Sequence, residues 1–197
     1  MWLKLTSDIG KPLFANMAQI CAVRPPSEGA GGARLAFLGG SSVPVKESPQ
    51  RIMAMLAKKT KAAIGLWVKL TGEYDKQMFA EFECVHRVHS GPGSFGGSIL
   101  VFLPVFTIYV KESLPEIVAL LHGHDNRSAA ATWHKLTLEA RRRVLVNSAK
   151  IAAMHGAPRG AAGSLLTFLG GGRIFVQQSP RDIMDMIASQ KGVARGK

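Results

Sequence analysis

The sequence is poor in cysteine and has no long hydrophobic run. Its two cysteines, Cys21 and Cys84, do not correspond in the internal repeat described below, so they predict two buried, reduced thiols rather than a disulfide framework. The longest apolar stretch, residues 99–110, is shorter than the roughly 18 residues that a membrane span needs. It contains Pro104, which predicts two strands joined by a tight turn. The first residues show no charged segment followed by an apolar one. We therefore expect a soluble, cytoplasmic protein of a reducing compartment.

Acidic residues are also scarce. The chain has 13 Asp and Glu against 25 Lys and Arg, which gives a net charge of +12. An excess of this size indicates an acidic partner, such as a nucleic acid, an anionic protein lattice or a lipid headgroup surface.

Motifs that carry catalysis or hold a cofactor are missing from the sequence. It has no phosphate-binding GxxxxGK[ST] loop, no GxSxG nucleophile turn and no strand-embedded GxGxxG. His86 with His89, and His122 with His124, have no cysteine or carboxylate cluster beside them at metal-ligand spacing. We expect no enzymatic activity, no cofactor, no bound metal and no small-molecule substrate.

What the sequence does contain is one module written three times. The motif Trp-x-Lys-Leu-Thr begins at Trp2, Trp67 and Trp133, so the second copy starts 65 residues after the first and the third 66 residues after the second. The same offsets align Phe37-Leu38 of the first copy with Phe102-Leu103 of the second and Phe168-Leu169 of the third. A fixed period of this kind indicates a supersecondary unit that buries part of its surface against its copies.

Each copy predicts about five short strands and one carboxy-terminal helix. Alternation in the first strand places Leu3 and Leu5 on a core face and Trp2, Lys4 and Thr6 on the other. Serine followed by proline, or a capping box, marks each helix start. We predict an α+β fold of three tandem repeats of antiparallel strands, arranged as a covalent pseudo-trimer. The predicted boundaries are modules at 1–57, 66–122 and 132–189, with linkers that let neighbours rotate, and a basic mobile tail at 190–197.

Three short motifs give the module a family resemblance. They are Lys-Leu-Thr in the first strand, Asn16 closing the second strand, and Val45-Lys46-Glu47-Ser48 at the helix start. The module resembles the small FlbD-type swarming motility family and similar single modules of phage and prophage genomes. The resemblance implies a small non-enzymatic module that ordinarily occurs singly.

The second and third copies each depart from this pattern once. Copy two keeps Glu112 in its Val-Lys-Glu-Ser motif but has Glu81 at the asparagine position. Copy three keeps Asn147 but has Gln178 at the position of the motif's glutamate.

Candidate partner-binding residues form four groups. The first is the repeated face opposite the leucines, which either seals contacts between neighbouring modules or anchors a partner or a nucleic-acid base. The second is an apolar hairpin tip in copy two, which packs on another module or inserts into a partner. The others are a basic hairpin tip and a basic linker, which are either solvated or dock on an acidic surface. The residues are Trp2, Lys4, Trp67, Lys69, Trp133 and Lys135; Val105 and Phe106; Arg141, Arg142 and Arg143; and Lys58, Lys59 and Lys61.

Triplication of a small module presents similar faces to a partner and suits a threefold site. With the phage-like resemblance, this favours a virion structural protein: a capsid decoration or cement protein, or a minor tail protein, at a threefold or quasi-threefold position. Basic loops and apolar tips would supply the adhesion. The alternatives are a basic nucleic-acid-binding protein and a motility accessory protein.

Overall fold

The structure, a computed structural model, describes residues 2–26, 31–59, 65–72, 75–91, 96–102, 106–123, 132–157 and 162–193. Over these residues the protein is an α+β structure, made mainly of antiparallel strands with three α-helices. Lys61 and Val105, and the glycine- and proline-rich stretches 27–30, 92–95 and 158–161, lie outside the described residues.

The order of elements is five strands and a helix, three times over. The first set is β1 (Trp2–Thr6), β2 (Pro12–Asn16), β3 (Ile20–Arg24), β4 (Ala33–Phe37), β5 (Ser42–Val45) and α1 (Pro49–Lys59). The second is β6 (Trp67–Thr71), β7 (Gln77–Glu81), β8 (Val85–Ser90), β9 (Ser98–Phe102), β10 (Phe106–Val110) and α2 (Leu114–His122). The third is β11 (Trp133–Thr137), β12 (Arg143–Asn147), β13 (Ile151–Gly156), β14 (Ser164–Phe168), β15 (Arg173–Val176) and α3 (Pro180–Val193).

The helix starts confirm the capping signals of the sequence. At the start of α2, the Ser113 backbone N–H donates to a carboxylate oxygen of Glu116 at 2.7 Å, which is one of the hydrogen bonds of a capping box, and the Ser113 hydroxyl donates to the same oxygen. Ser179 and Asp182 repeat this arrangement at the start of α3. The helix α3 continues to Val193, into the segment predicted as a tail, and residues 194–197 lie outside the described residues.

Strand pairing does not follow the boundaries of the repeats. One five-stranded sheet has the order β5-β4-β3-β7-β6, and a second has the order β10-β9-β8-β12-β11. In each, three strands of one copy pair with the first hairpin of the next copy. Each copy contains the five strands and the helix that the sequence predicts, but hydrogen-bonded strands also join neighbouring copies across the repeat boundaries. This pairing between copies was not predicted from the sequence.

The pairing leaves a partial sheet at each end of the chain. The hairpin β1-β2 forms a two-stranded sheet, and β13-β14-β15 forms a three-stranded one. Within the part of the chain that the structure describes, no ladder joins β2 to β13.

The hydrophobic core also crosses the repeat boundaries. The central cluster is built mainly from the second copy, yet it includes Cys21 and Ala22 from the first copy and Trp133 and Leu145 from the third. Residues of the second copy also pack against the cluster of the first, whereas the described cluster of the third copy is built from that copy alone. Sharing a core in this way is expected to stabilise units of only about 57 residues.

Candidate assembly interface

The contact between neighbouring copies is an antiparallel ladder that occurs twice with the same register. Between the first two copies, Ala22 lies opposite Ala80 and Val23 opposite Phe79. Between the last two, the equivalent pairs are Arg87 with Val146 and Val88 with Leu145, followed by His89 with Val144. The same interface is thus made by two different sets of side chains.

A β-bulge occurs at the same position in every copy, in the strand whose other edge forms this interface in the first two copies. The register of β3, β8 and β13 shifts after the first residue, which leaves Cys21, His86 and Ala152 as the inserted residues. Cys21 and His86 are fully buried, and each has a following copy beside it. Ala152 has none and is exposed.

The tryptophans of the repeated motif seal these contacts. Trp133 is only 6% exposed and packs on Phe82 of the second copy, with 5.6 Å between the ring centroids. Trp67 is half-buried and packs against the core of the first copy. Trp2 is the first residue of β1 and is 57% exposed. The tryptophan of the motif is therefore more buried in the two copies that have a preceding copy beside them.

Glu81 places a buried carboxylate next to the first ladder. It occupies the position that asparagine holds in the other two copies, and its oxygen accepts a hydrogen bond from the Glu83 backbone N–H at 3.1 Å. Burial away from water raises the pKa of Glu81 to about 7. A hydrogen bond with Cys84, together with burial, raises the pKa of the nearby Cys21 thiol, so that thiol stays protonated.

His86 is the corresponding buried polar residue at the second ladder. Its ring stacks on Phe168 of the third copy with 5.5 Å between centroids, and the Arg87 guanidinium lies 5.6 Å from the same ring. None of the described residues hydrogen-bonds its Nε2 atom. Burial, with a smaller contribution from Arg87 and Lys150, lowers the pKa of His86 to about 4, so the imidazole is neutral near pH 7.

The Val-x-Glu-Ser motif has a structural role within each copy. Its glutamate accepts a hydrogen bond from the backbone N–H of the threonine that ends the first strand. The acceptors are Glu47 for Thr6 and Glu112 for Thr71, with Gln178 taking the same place for Thr137. A backbone hydrogen bond next to each contact joins the first strand to the residue after the fifth. These contacts close each copy on itself.

The basic candidate residues whose burial the structure describes are all exposed. Lys4, Lys69 and Lys135 are all exposed at equivalent strand positions. Arg141, Arg142 and Arg143 are exposed at the hairpin between β11 and β12, and Arg141 adopts a positive φ of 57°. Lys58 is exposed near the end of α1, and Lys59 ends that helix. Only Lys111 with Asp75 forms an ion pair among the described residues.

The apolar tip of copy two is partly described. Phe106 opens β10, is half-buried, and stacks on Phe102 at 4.5 Å between centroids, so it packs within its own hairpin. A cleft of about 300 Å³ lies beside the second interface, and Trp133, His134, Lys135, Val118 and Met186 line part of it.

Sequence reasoning did not identify the residues of the ladders. Phe79 and Leu145 lie on the face opposite the core leucines of their hairpins, and each is packed against a hydrophobic cluster. The signal was present in β12, where three consecutive apolar residues begin at Val144. Such a run is typical of a strand covered on both faces. In β12 the second face is covered by the neighbouring copy.

Comparison with known proteins gives no match, whether with family models, curated proteins or solved structures. Among the described residues, no group of three or more histidine, cysteine or acidic side chains is placed to bind a metal. No described helix has the length and hydrophobicity to cross a membrane.

Proposed function

We propose that this chain is a covalent pseudo-trimer of one module and acts as a non-enzymatic structural protein of a larger assembly. The observation that carries the proposal is the interface formed twice with one register, at β3–β7 and at β8–β12. The fold of the chain is itself built by adding copies edge to edge. An assembly protein uses the same kind of contact between molecules.

The role that we propose is that of a phage virion component: a capsid decoration or cement protein, or a minor tail protein, at a threefold or quasi-threefold site. Two features support it. The module resembles single modules of phage genomes, and the three copies present Lys4, Lys69 and Lys135 at equivalent, exposed positions. These lysines, with the arginines at the β11–β12 hairpin, would meet an acidic protein lattice and favour its encounter with the chain.

Mass spectrometry of virions purified from the source of the chain tests this role. We expect the chain at a constant ratio to the major capsid or tail protein, retained through density-gradient purification. Removal by high salt, with rebinding on dilution, would fit adhesion through basic residues, because exposed charges are screened by salt. Absence from the virions would exclude the role, and co-purification with a flagellar component would favour motility instead.

Nucleic-acid binding is the second candidate, favoured by the exposed lysines and arginines and the net charge of +12. Replacement of Arg141, Arg142 and Arg143 by serine tests it, with binding to duplex and single strands measured over a salt series. Loss of affinity and a shallower salt dependence would favour this candidate. Equal, weak binding by the variant and the native chain would count against it. The burial of Trp133 removes one of the three stacking surfaces that this candidate could use.

A further inference from the structure

Two complementary strand edges remain at opposite ends of the chain. The outer edge of β2 is the equivalent of the edges of β7 and β12, which pair with the preceding copy. The edge of β13 is the equivalent of the edges of β3 and β8, which pair with the following copy. Among the described residues, β2 pairs only with β1 and β13 pairs only with β14, so no ladder is formed at either of these edges.

The side chains beside these edges are exposed, whereas their equivalents in the interior are covered. On the β2 side, Phe14 is 62% exposed, whereas the equivalent Leu145 is 2% exposed and Phe79 is half-buried. On the β13 side, Met184 of α3 is 54% exposed, whereas the equivalent Met53 and Val118 are half-buried against core clusters. Both ends thus carry apolar surface that the chain covers wherever it has a neighbour.

The two edges also match each other in chemistry. Continuing the register of the two internal ladders would place Ala153 opposite Ala15, Met154 opposite Phe14 and His155 opposite Leu13. The first internal ladder contains almost the same pairs, Ala22 with Ala80 and Val23 with Phe79. Neither β2 nor β13 contains a charged residue, although exposed edge strands are usually protected by charges.

From these observations we propose that β13 of one molecule pairs with β2 of a second copy of this chain, head to tail, in the register of the internal interfaces. The contact is heterologous, so it joins copies into a ring or a row. Any closed ring contains a multiple of three modules, which is compatible with a threefold or quasi-threefold site. The inference goes beyond the virion proposal and is tested on purified protein alone.

Charge substitutions at the two ends test the contact by analytical ultracentrifugation of the full chain. We expect the native chain to associate as its concentration rises. Phe14→Glu and Met184→Glu should each weaken self-association at least about tenfold, because each would bury a charge without a partner. An equimolar mixture of the two variants should form a dimer and nothing larger, since each retains one intact end.

The matched control is Leu169→Glu. Leu169 lies beyond the end of β14, and its equivalent Leu38 is exposed even though a following copy is present. We expect this variant to associate like the native chain. A native chain that stays monomeric at all concentrations would overturn the proposal, as would end variants that associate as tightly as the control.

Disulfide trapping separates a second copy from closure of the chain on itself. In a Cys21→Ala, Cys84→Ala background, Phe14→Cys with Met154→Cys in one chain should yield cross-linked dimers and larger species on oxidation. The out-of-register pair Phe14→Cys with His155→Cys should cross-link far less, because the two side chains would lie on opposite faces of the sheet. A product of monomer mass, or no product from the in-register pair, would overturn the proposal.

Discussion

At the scale of the residue, Glu81 and His86 are ionisable groups held in interfaces where neither is well solvated. Each departs from a smaller or neutral equivalent: Glu81 replaces the asparagines Asn16 and Asn147, and His86 replaces Cys21 and Ala152. The repeat alignment locates these departures. Their burial, and hence their effect on pH-dependent stability, follows only from the neighbouring copy.

Glu81 makes the folded state less stable at alkaline pH. Its pKa rises from 4.5 to about 7 on folding, so its contribution to stability is complete below pH 4.5 and is lost as the pH rises through about 7. Over that window we expect the native chain to lose about 2 to 3 kcal/mol at this site, at about 1.4 kcal/mol per pKa unit. Glu81→Gln should remove most of that loss in urea denaturation at pH 5 and pH 8.

The control for this prediction is Asp185→Asn, which changes an exposed carboxylate of α3. Its pH profile should follow that of the native chain. If Glu81→Gln kept the full loss of stability between pH 5 and pH 8, the carboxylate would not be desolvated as the structure indicates.

His86 has the opposite effect on acid stability. Its pKa falls from 6.5 to about 4 on folding, so its contribution is complete above pH 6.5 and is lost as the pH falls through about 4. His86→Leu should flatten this part of the urea-denaturation profile and remove a buried nitrogen without a hydrogen bond. The exposed His122→Leu serves as the control, and a native-like acid profile in His86→Leu would contradict the prediction.

At the scale of the element, the glutamate of the Val-x-Glu-Ser motif holds the first strand to the segment before the helix. In the second copy only Oε1 of Glu112 is used: it accepts from the Thr71 N–H at 2.7 Å, and Oε2 is buried without a partner among the described residues. In the third copy Gln178 accepts from Thr137 N–H and also donates its Nε2 to Thr137 Oγ1 at 3.0 Å.

Glu112→Gln should therefore stabilise the protein by about 1 kcal/mol, because the new amide can donate to the Thr71 hydroxyl as Gln178 does to Thr137. The matched control is Glu47→Gln. Both oxygens of Glu47 already accept from the Thr6 N–H, at 3.0 and 3.1 Å, so this change should bring no gain. Denaturant midpoints of the two variants give the comparison, and an equal gain at both sites would contradict the explanation.

Most of the secondary structure could be predicted from the sequence because its causes are local. Alternation of Leu3 and Leu5 with polar residues placed β1, and serine capping placed the helix starts. The pairing partner of the first hairpin could not be predicted in this way. A ladder with the preceding copy and one within the copy use the same strand and the same alternation, and only packing in three dimensions separates them.

At the scale of the whole molecule, three tryptophans of one repeated motif have three different surroundings. Trp2 and Lys4 are exposed on the side of β1 opposite the leucines. Trp133 lies on the same side of its own strand but is covered by the second copy, and Trp67 packs against the core of the first. These contacts favour the interpretation that the tryptophans seal contacts between modules.

Alanine at these equivalent positions should have very different effects on folding. Trp133→Ala leaves a cavity in the central core and should cost about 3 to 5 kcal/mol, whereas Trp2→Ala should change stability by less than about 1 kcal/mol. Because the core crosses the copies, the native chain should unfold in one transition. Calorimetry checks both points, and separate transitions would contradict a shared core.

The sequence by itself determined the repeated unit, the order of its strands and helix, the core leucines and the excess of positive charge. These follow from local alternation, capping and composition, which each segment carries alone. Only the tertiary structure decided that the first hairpins of the second and third copies pair with the preceding copy, that Glu81 and His86 are desolvated, and that Phe14 and Met184 stay uncovered. Those properties depend on which copy lies beside a residue, and local sequence does not specify that neighbour.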